Sequence, residues 1–262
     1  MCLIAIAWQL DPRYPLALIA NRDEFHGRPA AAAGFDPEHA GVYGGRDLQA
    51  GGGWLMVSAR GRLAAVTNVR DGLQPETAPR SRGALVHGFV GGDADAAGFA
   101  AALAGSAGEY GRFNLLLWDG EALVFASNHP VFVTHPVAPG VHAMSNGALD
   151  APWPKAMHAT RALSAWLRSE GPAAPIDGPG LSSLFDALAD TAVAPDDLLP
   201  DTGVGIELER ALSPPFVLGE RYGTRCSSVV LVDDVRIVFA ERRYGPGGVR
   251  TGDSLQAIPT TS

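Results

Sequence analysis

Short apolar runs alternate with turn signals in the order strands, helices, strands, helices, strands, and that grouping most restricts how this chain can fold. Residues 3–8 and 16–20 are apolar and flank Asp11-Pro12-Arg13-Tyr14-Pro15, which reads as a hairpin turn. A second hairpin is expected from 55–58 and 62–67 around Arg60-Gly61, and a third from 227–232 and 236–240 around Asp233-Asp234. Between them, Ser81 can cap a helix over 83–90, and an alanine-rich helix is expected over 93–107. Strands follow at 112–118, 122–127, 131–134 and 142–145. Ala156, Ala159, Leu163 and Trp166 recur at helical spacing within 154–168, and 181–192 reads as a further helix. Runs grouped in this way, rather than alternating singly, predict an α+β architecture of antiparallel sheet with helices packed outside it. Residues 28–47 are rich in Ala, Gly and Pro and read as loop. There is no repeat or linker, so one domain over 1–245 is expected, with 246–262 as a polar, frayed tail.

A chain of 262 residues that is 47% hydrophobic and 18% charged can bury a sizeable core. A net charge of −8 argues against a general binder of nucleic acid or anionic membranes. Lys155 is the only lysine, so anion sites here must be built from arginine forks. Two cysteines, Cys2 and Cys226, make no disulfide framework and fit a reducing compartment. The apolar run 2–8 is too short for a signal sequence and has no basic segment before it. Nothing approaches a membrane span, so a cytoplasmic protein without integral membrane association is expected.

Cys2 becomes the first residue once Met1 is removed, and its small side chain permits that removal. The mature chain then carries an amine titrating near ~7.7–8.0 beside a thiol near ~8.5. Such an amine can serve as base for its own side-chain nucleophile. Asn21, Arg22, Asp23, Asn68, Arg70, Asn146 and Arg225 all fall at ends of apolar strands. Singly, each fits ordinary turn chemistry. Together with Cys2 they supply the parts of an amide or thioester hydrolase: a nucleophile, Asp23 to hold the amine, and Asn68 or Asn146 as oxyanion donor. Arg22 or Arg225 can clamp a carboxylate or phosphate. Asn21, Trp54 and Arg70 complete the substrate-binding candidates.

Cys2, Asn21-Arg22-Asp23-Glu24, Gly44-Gly45-Arg46-Asp47, Gly52-Gly53-Trp54, Thr67-Asn68-Val69-Arg70, Ser81-Arg82-Gly83, Ser145-Asn146-Gly147 and Tyr222-Gly223-Thr224-Arg225 together resemble the NRDE-motif family. Its animal members are the transport and Golgi organisation proteins. The resemblance runs from Cys2 to about Tyr244, departing at Cys226, where serine is expected, and over the variable stretch 28–39. More distantly, Cys2, Asn21-Arg22-Asp23, the run 61–68 and Ser145-Asn146 are similar to N-terminal-nucleophile cysteine hydrolases. Choloylglycine hydrolase, penicillin V acylase and acyl-CoA:6-aminopenicillanate acyltransferase are of that kind. This likeness implies a four-layer αββα sandwich, with Cys2 attacking, Asp23 binding the amine, and Asn68 and Asn146 lining an oxyanion hole. It requires no cofactor for catalysis and implies a small acyl amide or thioester, acyl-CoA-like, as substrate. For the basic residue beside the nucleophile, Arg22 and Arg225 both qualify. The family resemblance also implies an alternative: a non-catalytic carrier of haem or of acyl-CoA and lipid, in which the Cys2 thiolate could ligate haem iron.

Ala143-Met144-Ser145-Asn146-Gly147 approximates a serine-hydrolase elbow, but its first glycine is missing and only His158 follows closely. The seven histidines are scattered without His-Glu-x-x-His, so no metal site is expected. Glycines at 44–45 and 51–53 make no phosphate-binding fingerprint, and 207–210 reads as a solvated face.

Overall fold

The computed structural model describes residues 2–73, 76–169 and 179–260. The first hairpin forms as expected: β1 (Cys2–Asp11) runs antiparallel to β2 (Tyr14–Phe25), with Cys2 opposite Arg22 and Ala5 opposite Ile19. Along β1, Cys2, Ile4, Ile6 and Trp8 point to one core, while Leu3, Ala5 and Ala7 point to another. That two-residue alternation, with both faces covered, explains why the strand reads as a continuous apolar run.

The remaining strands are β3 (Ala30–Phe35), β4 (Val42–Asp47), β5 (Gly53–Ser58), β6 (Arg62–Asn68), β7 (Phe113–Trp118), β8 (Leu123–Ser127) and β9 (Val133–Pro136). They are completed by β10 (Gly140–Met144), β11 (Tyr222–Val232), β12 (Arg236–Tyr244) and β13 (Arg250–Pro259). Six strands form one sheet in the order β10-β1-β2-β11-β12-β13, and seven form the other in the order β3-β4-β5-β6-β7-β8-β9. The helices are α1 (Gly83–Gly91), α2 (Ala96–Ala102), α3 (Pro154–Ser169), α4 (Ser182–Leu188) and α5 (Ile206–Ala211). One core lies between the sheets, a second between the six-stranded sheet and α3 and α4, and a third between the seven-stranded sheet and α1 and α2. The result is the αββα sandwich of two antiparallel sheets between helical layers.

Four local expectations need correction. Residues within 28–47, expected as loop, supply β3 and β4, because pairing with β5 overrides the weak strand propensity of Ala and Gly. The helix expected over 93–107 shortens to α2, which Asp95 caps by accepting the Gly98 amide at 2.6 Å. The tail expected to fray instead adds β13 to the edge of the six-stranded sheet, with Ile258 buried opposite Ile237. Residues 207–210 belong to α5, and Glu209 within it is buried rather than solvated. Among the described residues no helix is long and apolar enough to cross a membrane.

Gly52 fixes one rim of the space between the sheets. It has φ +74°, and a Cβ there would lie 2.3 Å from the Gly83 carbonyl oxygen. This close approach, open only to glycine, draws the start of α1 onto the start of β5 and brings Trp54 and Arg82 to that rim.

Candidate active site

The first residues of β1, the last of β2 and the end of β6 meet at one mouth of the inter-sheet space. There Cys2, Arg22, Asp23, Trp54 and Asn68 line a cavity of about 460 Å³. Cys2 is nearly buried; burial pushes its thiol upward, Asp23's charge adds to that, and Arg22 opposes it. Arg22 sits directly across the ladder from Cys2, and its nearest carboxylates, Glu24 and Asp47, stand 3.8 and 3.9 Å away. These separations exceed hydrogen-bond length.

Asp23 is buried, and its Oδ1 accepts the Thr224 hydroxyl at 2.6 Å. That hydroxyl in turn accepts the Val217 amide at 2.9 Å, so the carboxylate is held from behind. Burial pushes the Asp23 carboxyl up, while the nearby positive charge of Lys155 and the Thr224 hydroxyl draw it down. Lys155 is buried at the start of α3 and donates to the Leu212 carbonyl at 3.2 Å. Burial pushes its ammonium down and Asp23 draws it back up.

The two asparagines divide their work. Asn68 ends β6 and faces the cavity. Asn146 is wholly buried behind it, and its Nδ2 donates to the Asn68 backbone oxygen at 2.8 Å and to Asn68 Oδ1 at 3.0 Å. With Oδ1 of Asn68 accepting from behind, its Nδ2 is the end left to donate into the cavity. Asn146 is therefore a positioning residue rather than a wall of the cavity. Ser145 Oγ donates to the Cys2 carbonyl at 2.8 Å, fastening the β10 end to the start of β1. No helix follows Ser145 until Pro154, which removes the serine elbow.

Three expected ligand-binding residues lie outside the Cys2 cavity. Asn21 faces the helical layer, where Nδ2 donates to the Leu188 and Pro215 carbonyls, both at 2.8 Å, and Oδ1 accepts Ser227 Oγ at 2.6 Å. It ties sheet to helices. Arg70 pairs with the buried Glu209 at 2.6 Å, lies over the Trp153 ring at 5.2 Å and lines a different cavity from Cys2. Arg225 donates to the Phe25 and Arg28 carbonyls at 2.8 and 3.0 Å and lines a second cavity, shared with Arg22 and Trp54. The alternation of β2 accounts for the split: Arg22 faces the inter-sheet space and Asn21 the opposite face.

Sequence reasoning missed Lys155 and Glu209. A signal for Lys155 was present: it precedes Ala159 by one helical turn on the apolar stripe of α3, where a charged residue needs a partner. Sequence spacing also missed Asp36, His39 and His87, whose potential ligand atoms lie within 4.8 Å of one another. Arg46 stands 3.7 Å from Asp36, a positive charge that opposes a cation there. Both cysteines are free, and β2 lies between their strands, so two strand spacings, ~10 Å, separate them. That is beyond disulfide reach.

Two solved structures share this fold. The mutant C2A conjugated bile acid hydrolase from Clostridium perfringens superposes with a TM-score of 0.54 at 8% identity, covering 99% of this chain and 92% of that one. The Caenorhabditis elegans orthologue of N-acylethanolamine-hydrolyzing acid amidase gives 0.51 at 10% identity, over 88% and 92%. The architecture is thus that of the N-terminal-nucleophile hydrolases. In sequence, the human transport and Golgi organization protein 2 homolog is 34% identical over 268 residues, covering 92% of each chain. The Bos taurus homolog is 34% identical over 263 residues, with the same coverage. A family model described as "Transport and Golgi organisation 2" matches residues 1–246. On this match and these identities, the chain belongs to the transport and Golgi organisation 2 family.

Proposed function

We propose that the protein, once Met1 is removed, transfers an acyl group from an amide or thioester through Cys2. The supporting observation is that Cys2, Asp23 and Asn68 line one cavity with Arg22 beside the thiol. In this mechanism the α-amine of Cys2 takes the thiol proton, and the thiolate attacks the substrate carbonyl carbon. Asn68 Nδ2 donates to the developing oxyanion, and Asp23 holds the protonated amine. The C–N or C–S bond then breaks, the leaving amine or thiol receives the amine's proton, and the acyl group remains on sulfur. Water or another acceptor releases it in a second step. The chemistry uses no cofactor, and an acyl-CoA-like thioester is the substrate class that fits.

The test is the intact mass of the native protein before and after incubation with a panel of acyl-CoA thioesters. Loss of Met1 and gain of one acyl group, absent in Cys2→Ala, is the expected result. Retained Met1 without any adduct overturns the proposal.

A carrier that uses the Cys2 thiolate as a haem ligand is the second reading, and the cavity suits it poorly. Porphyrin faces need apolar walls, whereas Arg22, Asp23, Glu24, Arg28, Asp47 and Arg82 dominate this lining. A haem titration that leaves the haem spectrum unchanged is expected.

A further inference from the structure

Beyond Arg22 and Trp54 the inter-sheet space continues into the second cavity, of about 230 Å³. The two spaces differ in charge. The first is lined by four arginines and four carboxylates, so its charge is balanced within its own walls. The second is lined by Arg22, Arg225 and Arg243 against one carboxylate, Glu241, while Arg46 borders it from β4 with its Nε turned to Asp36 on the outer face. Glu241 is already held: its Oε1 accepts the Ala33 amide at 2.9 Å and an Arg243 N–H at 3.2 Å.

One of these guanidiniums, that of Arg22, reaches the cavity without a close acceptor. Arg22 has no carboxylate nearer than 3.8 Å. A buried donor without an acceptor is costly, and a planar fork is matched by a carboxylate or phosphate oxygen pair.

We infer that this second cavity is an oxyanion subsite, taking a carboxylate or phosphate group. Where the acyl-transfer reading holds, the subsite also defines the substrate. Cys226 lines the cavity from β11 and Cys2 lines the first from β1, so the oxyanion lies about two strand spacings, ~10 Å, from the nucleophile. The preferred substrate then carries an anionic group ~10 Å from the carbonyl that Cys2 attacks. That clause rests on the proposed function; the anion site itself does not.

The experiment is calorimetric titration of the full chain with inorganic phosphate and, separately, with glutarate. At least one should bind the native protein and Cys2→Ala alike, and bind Arg243→Gln about tenfold or more weakly. Arg22→Gln serves as the second variant should Arg243→Gln misfold, and Arg82→Gln, in the charge-balanced cavity, should bind normally. Phosphate-only or glutarate-only binding supports the subsite and identifies which oxyanion it prefers. Absence of binding by the native protein overturns the inference. So does binding that survives both Arg243→Gln and Arg22→Gln. Anion binding without acylation of Cys2 would sink the acyl-transfer reading alone.

Discussion

At the residue scale the site is a set of side chains whose states are fixed by neighbours. Burial raises the Cys2 thiol while Arg22 lowers it, so the thiolate fraction, and with it the acylation rate, should grow as pH rises through the alkaline range. Removing the opposing charge must raise the thiol further. Arg22→Gln is therefore expected to move the alkaline limb of the pH–rate profile to higher pH, and an unmoved limb would exclude Arg22 from tuning the thiol. The asparagine pair gives a sharper contrast. Asn68→Ala deletes the donor itself and should lower kcat by ~10²–10³ with little effect on KM. Asn146→Ala leaves the donor but frees its amide to rotate, so it should lower kcat by a smaller factor. Equal losses in the two variants would mean that Asn146 contacts the reacting group directly. The candidate polar positions were legible in the sequence because each falls at the end of an apolar strand. Their separate duties were not. Asn21 and Arg22 are adjacent in sequence and lie on opposite faces of β2, and only the register against β1 and β11 assigns each a side.

At the scale of elements, helix α5 explains why Arg70 lies outside the Cys2 cavity. Its Glu209 meets Arg70 Nη2 at 2.6 Å and accepts the Thr202 amide and hydroxyl at 2.8 and 2.6 Å. An isolated six-residue helix has almost no intrinsic stability, so this buried pair holds it against the loop after β6. Glu209→Gln keeps the shape and leaves Arg70 buried opposite a neutral amide. A loss of about 3–5 kcal/mol is expected, measured by urea unfolding; a change under about 1 kcal/mol would show that the pair is solvated in solution. From sequence, residues 207–210 offered three charged residues around one leucine and no apolar stripe, so a short polar helix and a solvated turn looked the same. The hairpins were legible for the opposite reason: apolar strands of period two with Gly or Asp turns admit few other structures.

At the scale of the whole molecule, the sandwich survives or fails at the edges of its sheets. The family match ends at residue 246, yet β13 pairs with β12 along nearly its full length beyond that point. Its composition read as tail because an edge strand buries one face only, and just Ile258 is buried in it. Removing residues 246–262 would expose the β12 backbone as an unpaired edge, and such edges recruit other strands. It would also withdraw Ser254, which accepts an Arg243 N–H at 2.7 Å, and Thr251 from the wall of the second cavity. Losing the burial of one isoleucine costs about 1.5–3 kcal/mol, which in a chain of this size lowers Tm by roughly 3–12 °C. The truncated chain is therefore expected to melt earlier and to self-associate as its concentration rises, read by calorimetry and sedimentation. Its phosphate or glutarate binding should weaken while acylation of Cys2, at the far side of β2, persists. A truncated chain that stays monomeric with unchanged Tm would mean that β13 rests on the sheet without closing it.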